Sequence, residues 1–419
     1  MGNNIWNPFA GFGGASRPGT GSLASRTGLP QLAGTAQPEK PEAPATRDNV
    51  KVNKSTTGPL SRPVSLNRLL TIFQNRPQVL ELLVSLEKQG VLSANDMAGV
   101  SVAQNLALLV ATPASRSSKI TGPLGKTAGL DFASHVIEHL AKPDDIFQGE
   151  ATKTCTVTVA QAVFAARHPA DYARMVRELV QDGQSKTRKG DVVTTDGRGF
   201  KTNEGRDPVE DLLQESLMTF AQNRFPAEGE QRAGRVYSST AKRGGTEQAS
   251  LSDSQRNLAL TDHQYGQVLK SLTSENYLPV SFKPVGPLPD RTSEARHLLR
   301  QLDVMREAAE RGPVPLGVAG HSLTSLDDLG HAVALKSMKI EPETETRLRA
   351  LLDAGELDRE TFWDLWSEGS QAEIFDPATG ETSLEKGSFL KEVEVYFISH
   401  DSAVLLPDYS AIERHKRLG

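Results

Sequence analysis

The sequence predicts an α+β fold, with a helical N-terminal part packed on a C-terminal antiparallel sheet. Apolar residues recur at helical spacing from Leu66 to Arg311, and short β-branched or aromatic runs concentrate after Pro313. Helices first and strands last point to an antiparallel sheet, because a doubly wound parallel sheet alternates the two along the chain.

In chain order, residues 1–62 hold nine glycines and seven prolines, with no sustained hydrophobic period. Such a composition predicts a disordered leader, since it cannot recover the entropy of ordering. Residues 63–112 read as a small helical module: Leu66, Leu69, Leu70, Ile72 and Phe73, then Val79 to Leu86 behind Pro77, then a helix over 97–109. The Ser/Pro/Gly/Lys-rich loop over 112–129 marks a boundary, and residues 113–419 form the main domain. Helices follow over 130–140, 155–167, 170–180, 208–223, 258–272 and 293–311, and residues 224–257 read as an exposed loop. Strands are predicted over 315–318, 331–338, 373–375 and 393–399. Between the second and third strands, Leu348, Leu351, Leu352, Leu357, Phe362, Leu365 and Trp366 predict a helical hairpin inserted over 341–370.

Composition excludes several function classes. The 47 basic and 52 acidic residues give a net charge of −5, which lacks the basic excess of a nucleic-acid binder. A single cysteine, Cys155, excludes an internal disulfide framework and a multi-thiolate zinc site. No apolar run approaches the roughly 20 residues that span a bilayer. The N-terminus shows neither a secretory signal pattern nor a myristoylation motif.

The chemistry-bearing string is Gln148-Gly149-Glu150-Ala151-Thr152-Lys153-Thr154-Cys155. Cys155 heads a helix, with Thr152 and Thr154 as candidate N-caps. A thiol there feels the positive end of the helix dipole and unpaired N–H groups, which favour thiolate. Such a nucleophile needs a base, and the base an orienting group. His331, in Gly330-His331, opens a strand; Asp376, in Asp376-Pro377-Ala378-Thr379-Gly380, closes the next strand at a turn. Adjacent antiparallel strands would bring the two together.

Cysteine at a helix start, Gly-His on a strand and Asp-Pro-x-x-Gly after the next strand resemble the papain-like cysteine peptidase superfamily, including its bacterial effector and transglutaminase-like branches. The match rests on residues 146–168, 314–338 and 372–398. The resemblance implies a papain-like fold, Cys155 as nucleophile, His331 as base and acid, Asp376 as orienter, and Gln148 as oxyanion donor beside the Cys155 N–H. The segments His168-Pro169-Ala170-Asp171-Tyr172 and Leu212-Leu213-Gln214-x-Ser216-Leu217-Met218 are also reminiscent of bacterial members of this group.

The expected activity is therefore cysteine-dependent acyl transfer on a protein or peptide substrate, a cysteine peptidase, needing no metal or organic cofactor. Alternatives are a transglutaminase or glutamine deamidase with the same triad, and an inactive papain-like binding scaffold. His135-Val136-Ile137-Glu138-His139 fits a zinc-hydrolase pattern, with Glu178, Glu210 or Glu215 available as a third ligand. His321, in Gly320-His321-Ser322, is a candidate near the site. Fifteen acidic against five basic residues over 341–394 read as a solvated face or a preference for a basic substrate. Trp363 and Trp366 anchor the hairpin. Residues 63–110 are expected to have an inhibitory or partner-binding role. A leader without disulfides fits a bacterial effector or toxin exported without a cleaved signal peptide; a cytoplasmic housekeeping peptidase is the alternative.

Overall fold

The computed structural model describes residues 66–112, 127–149, 154–195, 205–226, 260–282, 290–318 and 331–399. The expected leader over 1–62, His321, Thr152, nearly all of the loop at 224–257 and most of the loop at 112–129 lie outside these residues.

Helices α1 (Leu66–Ile72), α2 (Pro77–Lys88), α3 (Val102–Val110) and α4 (Ala128–Ala141) open the described chain. They are followed by α5 (Cys155–Arg167), α6 (Pro169–Asp182), a hairpin of β1 (Gln184–Lys186) and β2 (Val192–Thr194), α7 (Pro208–Arg224) and α8 (Asp262–Thr273). Prolines open α2, α6 and α7, where a missing N–H costs nothing. The helix expected over 97–109 begins only at Val102. Ser101 caps it in a reciprocal box with Gln104, and Met97 N–H instead bonds Asp171 Oδ1 at 3.2 Å.

The C-terminal half supplies β3 (Tyr277–Ser281), α9 (Arg291–Glu310), β4 (Val314–Val318), β5 (His331–Ile340), α10 (Pro342–Ala354), α11 (Arg359–Gly369), β6 (Ser370–Asp376), β7 (Glu381–Lys386) and β8 (Val393–Ser399). The fold is α+β: six strands pair antiparallel in the order β3-β8-β4-β5-β6-β7. The hairpin α10–α11 occupies the β5–β6 connection, and Glu341 N–H bonds Gly369 O at 2.8 Å to close its base. The base closes so tightly that both strands leave in register.

The sheet is a middle layer. Ala332, Ala334, Phe375, Val395 and Phe397 join the core of the N-terminal helices. Alternate residues Val333, Leu335, Ile374, Tyr396 and Ile398 join a second core with α9, α10 and α11. This period-two division explains the apolar run of β8 over residues 395–398: a strand covered on both faces has no polar side to show. Small Ala332 and Ala334 let α5 lie against β5.

The boundary expected near residue 112 does not divide the core. Leu69, Phe73, Leu83, Leu106 and Leu109 are buried in the same cluster as Val157 and Val163 of α5, and all described residues fall in one compact unit. Arg76 further ties the start of α2 to Asp131 and to Ser134 Oγ, the latter at 2.9 Å. Among the described residues no helix is long and apolar enough to cross a membrane.

Candidate active site

Cys155 is the first residue of α5. Thr154 holds the N-cap position, but its hydroxyl does not cap the helix. It lies 2.9 Å from Gln214 Oε1 and 3.2 Å from Gln148 O, turned toward the loop that precedes it. The helix start therefore keeps backbone donors for the sulfur: the Thr156 N–H and, from β5, the Ala332 N–H both act to lower the pKa of Cys155.

His331 is the first residue of β5 and Asp376 the last of β6. Their strands pair Ala334 with Phe375 and Leu335 with Ile374. Continued by one step, that register sets Asp376 opposite Val333 and diagonal to His331, a spacing that long side chains bridge. His331 Nε2 lies 2.7 Å from Asp376 Oδ1, and the same ring interacts with the Cys155 thiol. Asp376 Oδ1 also accepts the Ala378 N–H at 2.8 Å, while its carbonyl accepts the Gly380 N–H at 2.9 Å. The Asp-Pro-x-x-Gly turn thus fixes the carboxylate before it meets the imidazole.

The electrostatics favour a charge-separated pair. Burial opposes ionisation of Cys155, yet hydrogen bonding and the positive charge of His331, with the two backbone N–H groups, hold the thiol below its ordinary value. Burial also opposes protonation of His331, but the Asp376 and Cys155 partners push it up to about 10. Both directions favour a thiolate–imidazolium pair over the neutral one. Cys155 keeps 9% of its surface exposed, His331 and Asp376 6% each.

Gln148 is 2% exposed and sits on a loop braced on every side. Its N–H bonds Pro377 O at 2.9 Å, which joins the loop to the turn that carries Asp376. Gly149 follows with φ +89°, and a Cβ there would stand 3.2 Å from Arg206 carbons. Only glycine suits this position. Nearby, Asp144 bonds Lys336 Nζ of β5 at 2.6 Å and Thr382 Oγ1 of β7 at 2.9 Å, fastening the preceding turn to the sheet.

The candidate zinc residues take a different arrangement. His135 Nδ1 bonds Glu138 at 2.9 Å on the partly exposed side of α4. His139 points inward, with Nδ1 at 2.7 Å from Tyr172 Oη and Nε2 at 2.7 Å from Asp207 Oδ2. His139, Asp207 and Glu210 offer donor atoms within 4.8 Å of one another, a set that suits a divalent cation. Each of those atoms is already engaged. Asp207 caps α7 through the Val209 and Glu210 N–H groups, and Glu210 accepts the Phe147 N–H at 2.6 Å and the Asp207 N–H at 2.8 Å. Burial opposes a charged His139, but Asp207 and Tyr172 hold it well above the usual imidazole value. An imidazolium donating from both nitrogens fits this cluster better than a metal ligand. Glu178 is elsewhere, bonded to Arg174 Nη1 and Ser185 Oγ at 2.8 Å each, and Glu215 lies 3.8 Å from Arg206.

Sequence reasoning did not single out Asp207, nor give Tyr172 or Gln214 a role. The legible signal was Asp207-Pro208-Val209-Glu210, an N-cap, a first-turn proline and an acid at the third position, which is a capping box. A surface groove of about 320 Å³ along β5, β6 and β7, lined by residues such as Ser337, Glu373 and Leu384, touches none of the four candidate residues. No known protein family matches this chain, no curated protein matches it significantly, and no solved structure does so either.

Proposed function

We propose that this chain is a cysteine-dependent acyl-transfer enzyme, a cysteine peptidase of papain-like arrangement acting on protein or peptide substrates. The observation that carries the reading is the buried meeting of Cys155, His331 and Asp376 from three elements, with His331 Nε2 2.7 Å from Asp376 Oδ1 and the Cys155 thiol held below its ordinary value by His331. A thiolate attacks a carbonyl carbon, the imidazolium protonates the departing amine, and the resulting neutral imidazole takes a proton from water in the second half-reaction. Asp376 holds the ring throughout. The oxyanion would form beside Gln148 and the Cys155 N–H.

Burial of α1–α3 in the core of α5 favours a structural part for residues 66–110 over a detachable inhibitory one. The test begins with alkylation of Cys155 by iodoacetamide in folded protein from pH 5 to 9, read by intact mass. An inflection below about 8.5, the ordinary thiol value, that moves up in His331→Ala supports the reading. An ordinary, His331-independent thiol would favour the inactive scaffold. A substrate mixture analysed by mass then separates backbone cleavage from glutamine deamidation or crosslinking.

A further inference from the structure

We infer that Gln214 and Glu210, on one face of α7, are positioning residues that set the gap between Gln148 and Cys155 by holding both backbone polar groups of Phe147. The inference rests on the acyl-transfer reading above.

Phe147 lies in an irregular segment, where N–H and C=O groups find no helix or ladder partner and must be satisfied some other way. Both are taken by side chains of a distant helix. Glu210 Oε1 accepts the Phe147 N–H at 2.6 Å, and Gln214 Nε2 donates to Phe147 O at 2.8 Å. Residues 210 and 214 stand one helical turn apart, so one face presents both. The same Gln214 uses Oε1 toward the Thr154 hydroxyl at 2.9 Å, the residue directly before the nucleophile. Gln214 therefore touches both sides of the space where an oxyanion would sit: the segment leading to Gln148 and the start of α5. The Thr154 hydroxyl completes the brace, 3.2 Å from Gln148 O.

The braces are themselves fixed. Glu210 is held by its capping box with Asp207, and Asp207 by His139 at 2.7 Å. His139 leans on Tyr172 Oη at 2.7 Å, which accepts from Gln161 Nε2 of α5 at 2.9 Å. Gln214 Oε1 receives a further bond from Arg206 at 3.4 Å. Tyr172 and Gln214, from the two sequence segments left without a role, thus join one buried network. A hydrophobic reading of α7 does not account for Gln214, Glu210 and Asp211 being buried on a helix that could have carried leucines there.

The experiment compares two reactions of Cys155 in the full-length chain. Iodoacetamide alkylation proceeds without an oxyanion, whereas acylation by p-nitrophenyl acetate, read as released nitrophenolate, passes through one. Gln214→Leu is expected to leave alkylation within about twofold and to slow acylation by about 10- to 100-fold, the scale of a misplaced oxyanion donor. In a Gln148→Ala background the same substitution is expected to have no further effect, because Gln214 acts through Gln148. Gln214→Glu, which keeps the acceptor toward Thr154 but loses the donor to Phe147 O, covers the case in which leucine prevents folding. Acylation at the wild-type rate in a folded Gln214 variant overturns the inference, as do effects that multiply in the double variant. A wild type that alkylates but is never acylated overturns the acyl-transfer reading itself.

Discussion

Among the described residues, His331 is the cation that faces the Cys155 sulfur; replacing it by alanine removes that charge and leaves the burial that opposes ionisation. Opposite charges about 4 Å apart exchange about 4 kcal/mol at an effective dielectric constant of about 20. That energy corresponds to about a thousandfold in the ratio of thiolate to thiol. The observable rate falls less, because a more basic thiolate is more nucleophilic, with a Brønsted coefficient of about 0.4 to 0.5. The net expectation is a decrease of about 30- to 60-fold in reaction with an aromatic disulfide at pH 5, followed by the absorbance of the released thione. The pH profile is the sharper reading. Wild type inflects below the ordinary thiol value, and the variant keeps climbing through pH 9. Superimposable profiles, or a decrease under threefold at pH 5, would refute the ion-pair argument, since loss of the partner must appear in one or the other.

Four further outcomes are expected. Asp376→Asn keeps an acceptor for His331 and for Ala378 but removes the charge, so the upper limb of the acylation profile, set by His331 near 10 in wild type, moves to lower pH. His139 has its folded-state value raised, so its contribution to stability is complete below about pH 6.5 and fades as pH climbs through that raised value. His139→Gln should abolish this alkaline loss in urea titrations and cost about 3 to 5 kcal/mol near neutrality, because half-buried Asp207 and buried Glu210 lose their cation. Arg206 and Asp211 form a pair with both side chains fully buried at 2.6 Å; Arg206→Met should lower stability by about 3 to 5 kcal/mol, and adding Asp211→Leu should recover a measurable part of it. Gly149→Ala forces a side chain into a left-handed position beside Arg206, with about 1 to 2 kcal/mol lost in the urea midpoint and slower acylation.

The helices were legible because their signals are local. Pro77, Pro169 and Pro208 open their helices, and Cys155–Arg167 and Val393–Ser399 appear with the bounds the pattern suggests. The two sheet edges were not legible, for opposite reasons. Strand β3 carries Pro279, which removes a ladder donor and is tolerated only because β3 has a single neighbour. Strand β7, Glu-Thr-Ser-Leu-Glu-Lys, is nearly all polar, as suits an edge that must not recruit another chain. The juxtaposition of His331 with Asp376 was open to anticipation from strand order. The grip of α7 on Phe147 was not, since it depends on partners 63 and 67 residues apart in an irregular segment. Thr154 shows how context redirects a local rule: its hydroxyl has a buried amide to meet and leaves the helix uncapped.

The sulfur and two of the groups that favour its ionisation, His331 and the Ala332 N–H, come from opposite halves of the chain. Ala332 N–H and His331 belong to a strand made long after residue 155 has left the ribosome, and neither touches the sulfur until the sheet has closed against α5. In an unfolded chain Cys155 has neither His331 nor the Ala332 N–H beside it and is an ordinary thiol. On the proposed reading, the rate at which Cys155 becomes reactive in a refolding chain reports the closing of β5 against α5.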